Sequence, residues 1–70
     1  MDWINTPESS SIARFAFDDA SRVLKVEFKN GNVYDYFDIP DHVFDGMRAA
    51  PSKGQYLAQY VKGNYRYARA

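Results

Sequence analysis

The dipeptide Asn30-Gly31 is the feature that most constrains the fold, because it lies between two stretches that alternate as β-strands do. Asn-Gly in this setting is the strongest short signal for a β-hairpin, since both residues tolerate positive φ angles. Residues 22–28 alternate apolar and charged side chains with the period of two that a half-buried strand requires. Residues 32–38 are therefore predicted to form the returning strand.

The length of this turn decides which face of the sheet carries Tyr34 and Tyr36, because a slip of one residue moves every side chain to the opposite face. A two-residue loop would place both tyrosines on the face of the charged residues. A three-residue loop, with Gly31 in the left-handed region, pairs Val26 with Tyr34 and Leu24 with Tyr36. The three-residue loop is favoured, because it matches apolar with aromatic side chains and brings opposite charges together on the other face.

Other local signals predict the remaining elements. Phenylalanines alternate in residues 11–17, which indicates a first strand. Residues 40–50 have one apolar face at helical spacing. A second helix is predicted to begin after Ser52 and to end at Gly63. The chain is thus predicted to be an α+β domain, a three-stranded antiparallel meander followed by two helices, in which residues 64–69 form either a short C-terminal strand or an ordered tail.

The chain is short enough to form only one domain, which is predicted to span residues 11–70. Residues 1–10 are expected to be poorly ordered, because they contain Pro7 and lead into a run of serines. For Trp3, docking on the domain is favoured over docking on a partner. A core this small relies on dense aromatic packing or on association, and the 17% aromatic content makes a homodimer a reasonable hypothesis.

Composition makes several classes of function improbable. The chain has no cysteine and a single histidine, His42, so neither a metal site nor a cofactor is expected. His42 and Asp45 share a predicted helix face, and Ser52 lies further along the chain. A hydrolytic triad would need a pocket, for which a chain of 70 residues leaves little room, so an enzyme is not expected. No signal peptide and no apolar run of about 20 residues is present, which predicts a soluble cytoplasmic protein.

Charge is distributed unevenly along the chain. Nine acidic and four basic residues lie in the first 45 positions, whereas the last 25 contain five basic residues, no acids and four of the six tyrosines. Basic side chains interleaved with aromatic rings suit a nucleic-acid backbone and its bases. The candidate RNA-binding residues are Lys53, Lys62, Tyr65, Arg66, Tyr67 and Arg69, together with Tyr34 and Tyr36 for stacking.

Each of these candidates also has a structural interpretation. In the favoured register, Tyr34 and Tyr36 are core-face aromatic residues with their hydroxyls at the edge of the core. Lys62 complements the negative end of the second helix, and the arginines either are solvated or pair with acids of the first half. Ser52 and Gly54 either bind an anion through free backbone N–H groups at the helix start, helped by the lysine between them, or form an ordinary cap.

A series of short motifs runs through the chain. They are the serine run before Ile12, Phe17-Asp18, Leu24-x-Val26-x-Phe28, Gly31, Tyr34-Asp35-Tyr36, Pro40, Ala49 or Ala50, Ser52-x-Gly54-x-Tyr56 and Val61-Lys62. Their order and spacing, over about residues 9–69, resemble the KTSC domain. That family is a bacterial module found at the C-terminus of some lysyl-tRNA synthetases and as a stand-alone protein. Two positions depart from its pattern, since Lys62 replaces a usual arginine and Ala58 a common asparagine.

The resemblance implies a small non-catalytic binding module, because the family has no established activity and RNA binding has been suggested from the synthetase context. The hypothesis is that the basic, tyrosine-containing C-terminal region contacts RNA, and tRNA in particular. Lysine cannot reproduce a planar bidentate contact, so the departure at Lys62 would weaken a site that depended on one. The alternative is a protein-interaction or homodimerisation module without nucleic-acid binding, in which opposite charges of two copies meet. No membrane partner is expected.

Overall fold

The computed structural model describes residues 2–70, which form a five-stranded antiparallel sheet with two helices packed on one face. The strands are β1 (Ile4–Asn5), β2 (Ile12–Asp18), β3 (Val23–Phe28), β4 (Val33–Tyr36) and β5 (Tyr67–Arg69). The helices are α1 (Asp41–Ala49) and α2 (Lys53–Tyr56), and α2 continues directly into a π-helical segment (Leu57–Val61). Each strand pairs with its neighbour in sequence. The predicted α+β class is confirmed, and the C-terminal residues form the short strand that was one of the two predicted alternatives, β5 at one edge of the sheet. The strand β1 at the other edge was not predicted.

The β3–β4 hairpin has the register predicted for a three-residue loop. Val26 lies opposite Tyr34, and Leu24 lies opposite Tyr36. Gly31 has a φ of +96°, and its N–H donates to the carbonyl of the residue three positions earlier over 2.9 Å. Glycine adopts this left-handed conformation without steric cost, so the turn closes in the register that directs both tyrosines toward the helices.

The face of the sheet away from the helices carries paired charges. Lys25 Nζ lies 2.8 Å from Asp35 Oδ1, and Arg14 Nε lies 2.8 Å from Glu27 Oε1. The guanidinium carbon of Arg14 also lies 4.2 Å from the ring centre of Trp3, so Trp3 docks on its own domain as predicted. Partly exposed ion pairs each contribute about 0–1 kcal/mol to the free energy of folding. Their main effect is therefore to favour the observed register of the strands.

The N-terminal segment differs from the expectation of poor order in residues 1–10, although Met1 lies outside the described residues. Ile4 begins the short edge strand β1, which pairs with β2. Thr6 is fully buried, and its hydroxyl donates to the carbonyl of Ile12 over 2.7 Å. A two-residue strand is too short to show an alternating pattern, so its position depends on tertiary contacts that local sequence does not reveal.

The hydrophobic core lies between the helices and the inner face of the sheet. Full burial of a large apolar side chain stabilises the folded state by about 1.5–3 kcal/mol. Phe17 and Phe44 extend this core, with ring centres 4.6 Å apart and nearly parallel planes. Eight large side chains with at most 1% exposure form the centre of the core, namely Ile12, Phe15, Leu24, Val26, Ile39, Met47, Leu57 and Val61.

The two helices approach each other closely at Gly46 of α1. A Cβ atom at this position would lie 2.8 Å from Cζ of Tyr56 and closer still to its hydroxyl. Carbon atoms pack at about 3.5–4.0 Å, so the site has no room for a side chain. The glycine therefore allows the ring of Tyr56 to pack across α1.

The second helix begins at its predicted cap and ends with a change of helical type. Ser52 Oγ accepts a hydrogen bond from the backbone N–H of Gln55 over 3.3 Å. In the π-helical segment the N–H of Lys62 bonds to the carbonyl five residues earlier over 2.8 Å. This wider turn advances each residue by a smaller angle, which leaves Tyr60 half exposed. Gly63, with a φ of +82°, then redirects the chain toward β5.

Candidate nucleic-acid interface

A groove opens where the helices stop short of the last two strands. Its volume is about 550 Å³, which falls within the range of small-molecule sites. Tyr67 on β5 is 62% exposed, whereas Leu24 and Val26 on the inner face of β3 are fully buried. We call this feature the tyrosine groove, and its lining consists of Phe28, Asn30, Asn32, Tyr34, Tyr36, Lys62, Gly63 and Tyr67.

Three tyrosines from two strands form the aromatic wall of the groove. The register places Tyr36 opposite Tyr67 and next to Tyr34 on the same face. Their ring centres are 5.8–6.5 Å apart in all three pairs. Phe28 meets Tyr34 edge to face at 5.7 Å and extends the wall toward the hairpin. Such a set of adjacent rings offers a planar ligand several aromatic faces at once.

The three tyrosines differ in burial. Tyr36 is only 3% exposed and belongs to the core, Tyr34 is partly buried, and Tyr67 is largely open. Burial, reinforced by the neighbouring hydroxyls of Tyr34 and Tyr67, raises the pKa of Tyr36 above its ordinary value. Its hydroxyl therefore stays protonated at neutral pH. Tyr36 supports the wall, while Tyr67 presents the accessible ring.

Two cations accompany the aromatic wall. Lys62 Nζ lies 5.3 Å from the ring centre of Phe28, where the end of the π-helical segment places it. Arg69 lies opposite Tyr34 on β5, and its Nη2 donates to Asn32 Oδ1 over 2.7 Å. Within residues 2–70 neither cation forms a salt bridge. The groove lining contains no carboxylate, so its local charge is positive.

Arg66 and Tyr65 lie outside this groove. Arg66 Nη2 is 3.1 Å from Asp38 Oδ2, with both side chains 77% exposed, and its guanidinium lies over Phe37. Tyr65 packs against the core. Both line a shallower hollow that adjoins the tyrosine groove at Tyr67. The acids of the first half thus pair with Arg66, as the structural interpretation proposed, but not with Arg69.

A separate hollow, outside the tyrosine groove and shared with the N-terminal serines, contains Lys53, Ser52 and Gly54. Lys53 Nζ donates to the carbonyls of Ala50, over 2.7 Å, and Arg48, over 3.0 Å, at the end of α1. Ser52 caps the second helix. Gly54 packs so closely that a Cβ would lie 2.8 Å from a serine hydroxyl of the N-terminal segment. Each of the three residues thus makes a capping or packing contact within the domain.

Sequence reasoning missed four residues of the groove, Phe28, Asn30, Asn32 and Gly63. The alternation of residues 22–28 predicts Phe28 on the core face of its strand, and the Asn-Gly signal indicates only a turn at Asn30. The available signal was the hairpin itself, because a turn beside an aromatic strand end places its polar side chains at the rim. Their position in one groove with Lys62 depends on the path of the second helix, which local patterns do not define.

Metal clusters and membrane-spanning helices are absent from the part of the chain that the structure describes. No group of three or more His, Asp or Glu side chains among residues 2–70 could hold a metal ion. His42 and Asp45 are both exposed on α1. No helix among these residues is long and apolar enough to cross a membrane.

Fold and groove together define a small α+β domain with an open aromatic site at one end of its sheet. The profile of the KTSC domain matches residues 8–65. The chain belongs to the KTSC domain family, as the order of its motifs predicted.

The relatives fall into two groups by length. The chain is 38% identical over 61 residues to a lysine–tRNA ligase of Nostoc punctiforme, a match that covers 87% of this chain but 11% of the ligase. It is also 37% identical over 59 residues to a small protein of Tsukamurella paurometabola, of which it covers 88%. The domain therefore occurs both as a minor part of tRNA ligases and as a protein of similar length to this chain.

A solved structure supports the fold. The crystal structure of a KTSC domain protein from Yersinia pestis matches with a TM-score of 0.90. The match covers 99% of this chain and 96% of that one, at 24% sequence identity. The strand order and both helices thus belong to an architecture that is already known.

Proposed function

We propose that this protein is a non-catalytic RNA-binding module that holds unpaired nucleotides in the tyrosine groove. The observation that carries the proposal is the convergence of Tyr34, Tyr36 and Tyr67 in one open groove whose lining lacks a carboxylate. Aromatic faces combined with unpaired cations are the ordinary means by which proteins hold single-stranded nucleic acid.

Stacking on Tyr67 supplies the first part of this interaction. The ring is 62% exposed, and Tyr34 and Tyr36 support it from behind with centre distances of 5.8 and 5.9 Å. A ring already held by its neighbours loses little conformational freedom when a base stacks on it. Stacking of one base on an aromatic side chain contributes about 1–3 kcal/mol, whichever base it is.

Phosphate contacts supply the second part. Lys62 and Arg69 have no acidic partner within residues 2–70, so a phosphate would not have to displace one. Each phosphate neutralised in this way releases counterions, which makes binding weaken as salt increases. Arg66, already paired with Asp38, is expected to contribute less.

The names of the relatives favour tRNA as the RNA. Three relatives that match this chain over 11% of their length are lysine–tRNA ligases. We propose that the domain adds an RNA contact next to an enzyme in those proteins and acts on its own in the short ones. The unpaired loops and ends of a tRNA are the parts whose bases could enter the groove.

An NMR titration with tRNA tests the proposal, because it reports both binding and its location. Resonances of Tyr67 and Lys62 are expected to shift, and Tyr67→Ala should weaken binding about tenfold through the lost stacking. Tyr60→Ala is the matched control, since Tyr60 is half exposed on the second helix but outside the groove. Combining Lys62→Ala with Arg69→Ala should lower the salt dependence, whereas Arg48→Ala should not.

Two results would reject the proposal. No binding of tRNA at low salt would do so directly, and so would equal losses from the groove variants and their controls. Sedimentation at micromolar concentration checks the alternative hypothesis of self-association. A dimer that the Lys62 and Arg69 substitutions dissociate, without any RNA binding, would assign these cations to a protein interface.

A further inference from the structure

Two asparagines in the tyrosine groove have fixed amide orientations. Asn32 Oδ1 accepts a hydrogen bond from Arg69 Nη2 over 2.7 Å, and a guanidinium can only donate. Asn30 Oδ1 accepts the backbone N–H of Asn32 over 3.0 Å. In both side chains the oxygen is therefore engaged within the protein, which leaves the NH₂ group as the free end.

Both asparagines line the same groove as Lys62. An amide NH₂ provides two donors and an ammonium provides three. No carboxylate lines the groove to compete for them. The hairpin end of the groove thus contains several side chains that can donate hydrogen bonds. Phosphate oxygens can accept several such bonds at once.

We infer that Asn30, Asn32 and Lys62 form a phosphate subsite at the hairpin end of the tyrosine groove. Its ligand is the phosphate of a nucleotide whose base stacks on the tyrosines. The inference rests on the proposed function and adds to it the group that positions the RNA. Because a phosphate is common to every nucleotide, the subsite selects nucleotides over nucleosides and does not select among bases.

The experiment compares uridine with uridine 5′-monophosphate, adenosine with adenosine 5′-monophosphate, and inorganic phosphate alone. The side-chain NH₂ resonances of Asn30 and Asn32 report directly on the subsite. Both monophosphates are expected to shift them and to bind about tenfold tighter than their nucleosides, as hydrogen bonds to a charged group allow. Inorganic phosphate should bind at least about tenfold more weakly than either monophosphate, because it gains no stacking.

Asn32→Asp is the informative variant, since its carboxylate can still accept the hydrogen bond from Arg69 and the hairpin is preserved. It replaces the NH₂ group by a negatively charged acceptor, so the tenfold preference for monophosphates should disappear. Asn5→Asp makes the same change in charge on β1, at an exposed position outside the groove, and should retain the preference.

Several outcomes would overturn the inference. Equal affinity for nucleoside and monophosphate in the unmodified protein would do so, as would equal losses in Asn32→Asp and Asn5→Asp. Inorganic phosphate that bound as tightly as the monophosphates would show an ion site independent of the tyrosines. If tRNA binds at Tyr67 while the phosphate makes no difference, this inference fails and the proposed function stands. If tRNA does not bind at all, both fail.

Discussion

Replacing Gly46 by alanine tests the close approach of the two helices. A mid-helix Gly→Ala change normally stabilises a helix by about 1 kcal/mol. Here the new Cβ would lie 2.8 Å from Cζ of Tyr56, so the ring must move. Overpacking of this kind costs about 1–3 kcal/mol. Subtracting the helical gain leaves a net destabilisation of about 1 kcal/mol, equivalent to a melting temperature about 4–8 °C lower for a domain of this size.

The assay is urea unfolding of a double-mutant cycle with Tyr56→Ala. Without the ring, the three nearest neighbours of the new methyl group are removed, so Gly46→Ala should then stabilise the protein by about 1 kcal/mol. The sign of the effect is thus expected to reverse between the two backgrounds. Gly31→Ala serves as a control, because no atom lies near its Cβ position and only its positive φ opposes the change. Its cost should be the same with or without Tyr56.

An outcome in which Gly46→Ala stabilises both backgrounds equally would refute the reasoning. It would mean that the ring of Tyr56 can leave α1 at no cost. The free energy of coupling between the two positions is the deciding quantity, and values below about 0.5 kcal/mol would indicate independent sites.

Three further predictions concern stability. Thr6→Val should lower the free energy of unfolding by about 1–3 kcal/mol, because it leaves the buried carbonyl of Ile12 without a donor; Thr6→Ser should restore most of the loss in urea unfolding. Ser52→Ala should cost about 1 kcal/mol through the lost cap and leave the affinity for tRNA unchanged, whereas weaker RNA binding would indicate an anion site there. Burial raises the pKa of Tyr36 above its ordinary value of 10.0, so the free energy of unfolding should fall as pH rises past 10; Tyr36→Phe should reduce that fall in thermal melts.

The parts of the fold that local signals define were predictable from the sequence. The register of the β3–β4 hairpin follows from the conformation that Gly31 adopts and from the match of aromatic with apolar side chains across it. The cap at Ser52 and the helix end at Gly63 are likewise set by residues within one turn. These features need no information about distant parts of the chain.

Features that depend on tertiary contacts were not predictable in the same way. β1 has two residues, and its order depends on the buried bond of Thr6 and on Trp3 beneath Arg14. Tyr60 has the spacing of a core residue in an α-helix, but the π-helical segment turns it outward.

The candidate site likewise depends on tertiary contacts that local sequence patterns do not define. Charge and aromatic content selected Lys62 and Tyr67, which line one groove, and Arg69, which bonds to Asn32 of that lining. The same criteria also selected Lys53, whose ammonium is used to cap α1. Whether a cation lies at the groove or caps a helix depends on the positions of the helices, which charge and aromatic content do not define.

The order of the strands has a consequence for how the protein opens. β1 to β4 are joined by short connections, whereas residues 37–66, including both helices, separate β4 from β5. Closing so long a connection costs more entropy than closing a turn, so the pairing of β5 is expected to form late and to break first. Hydrogen exchange of the β5 amides should accordingly be faster than that of β3. Because Tyr67 lies on β5, we expect the groove to open and close while the rest of the sheet stays folded.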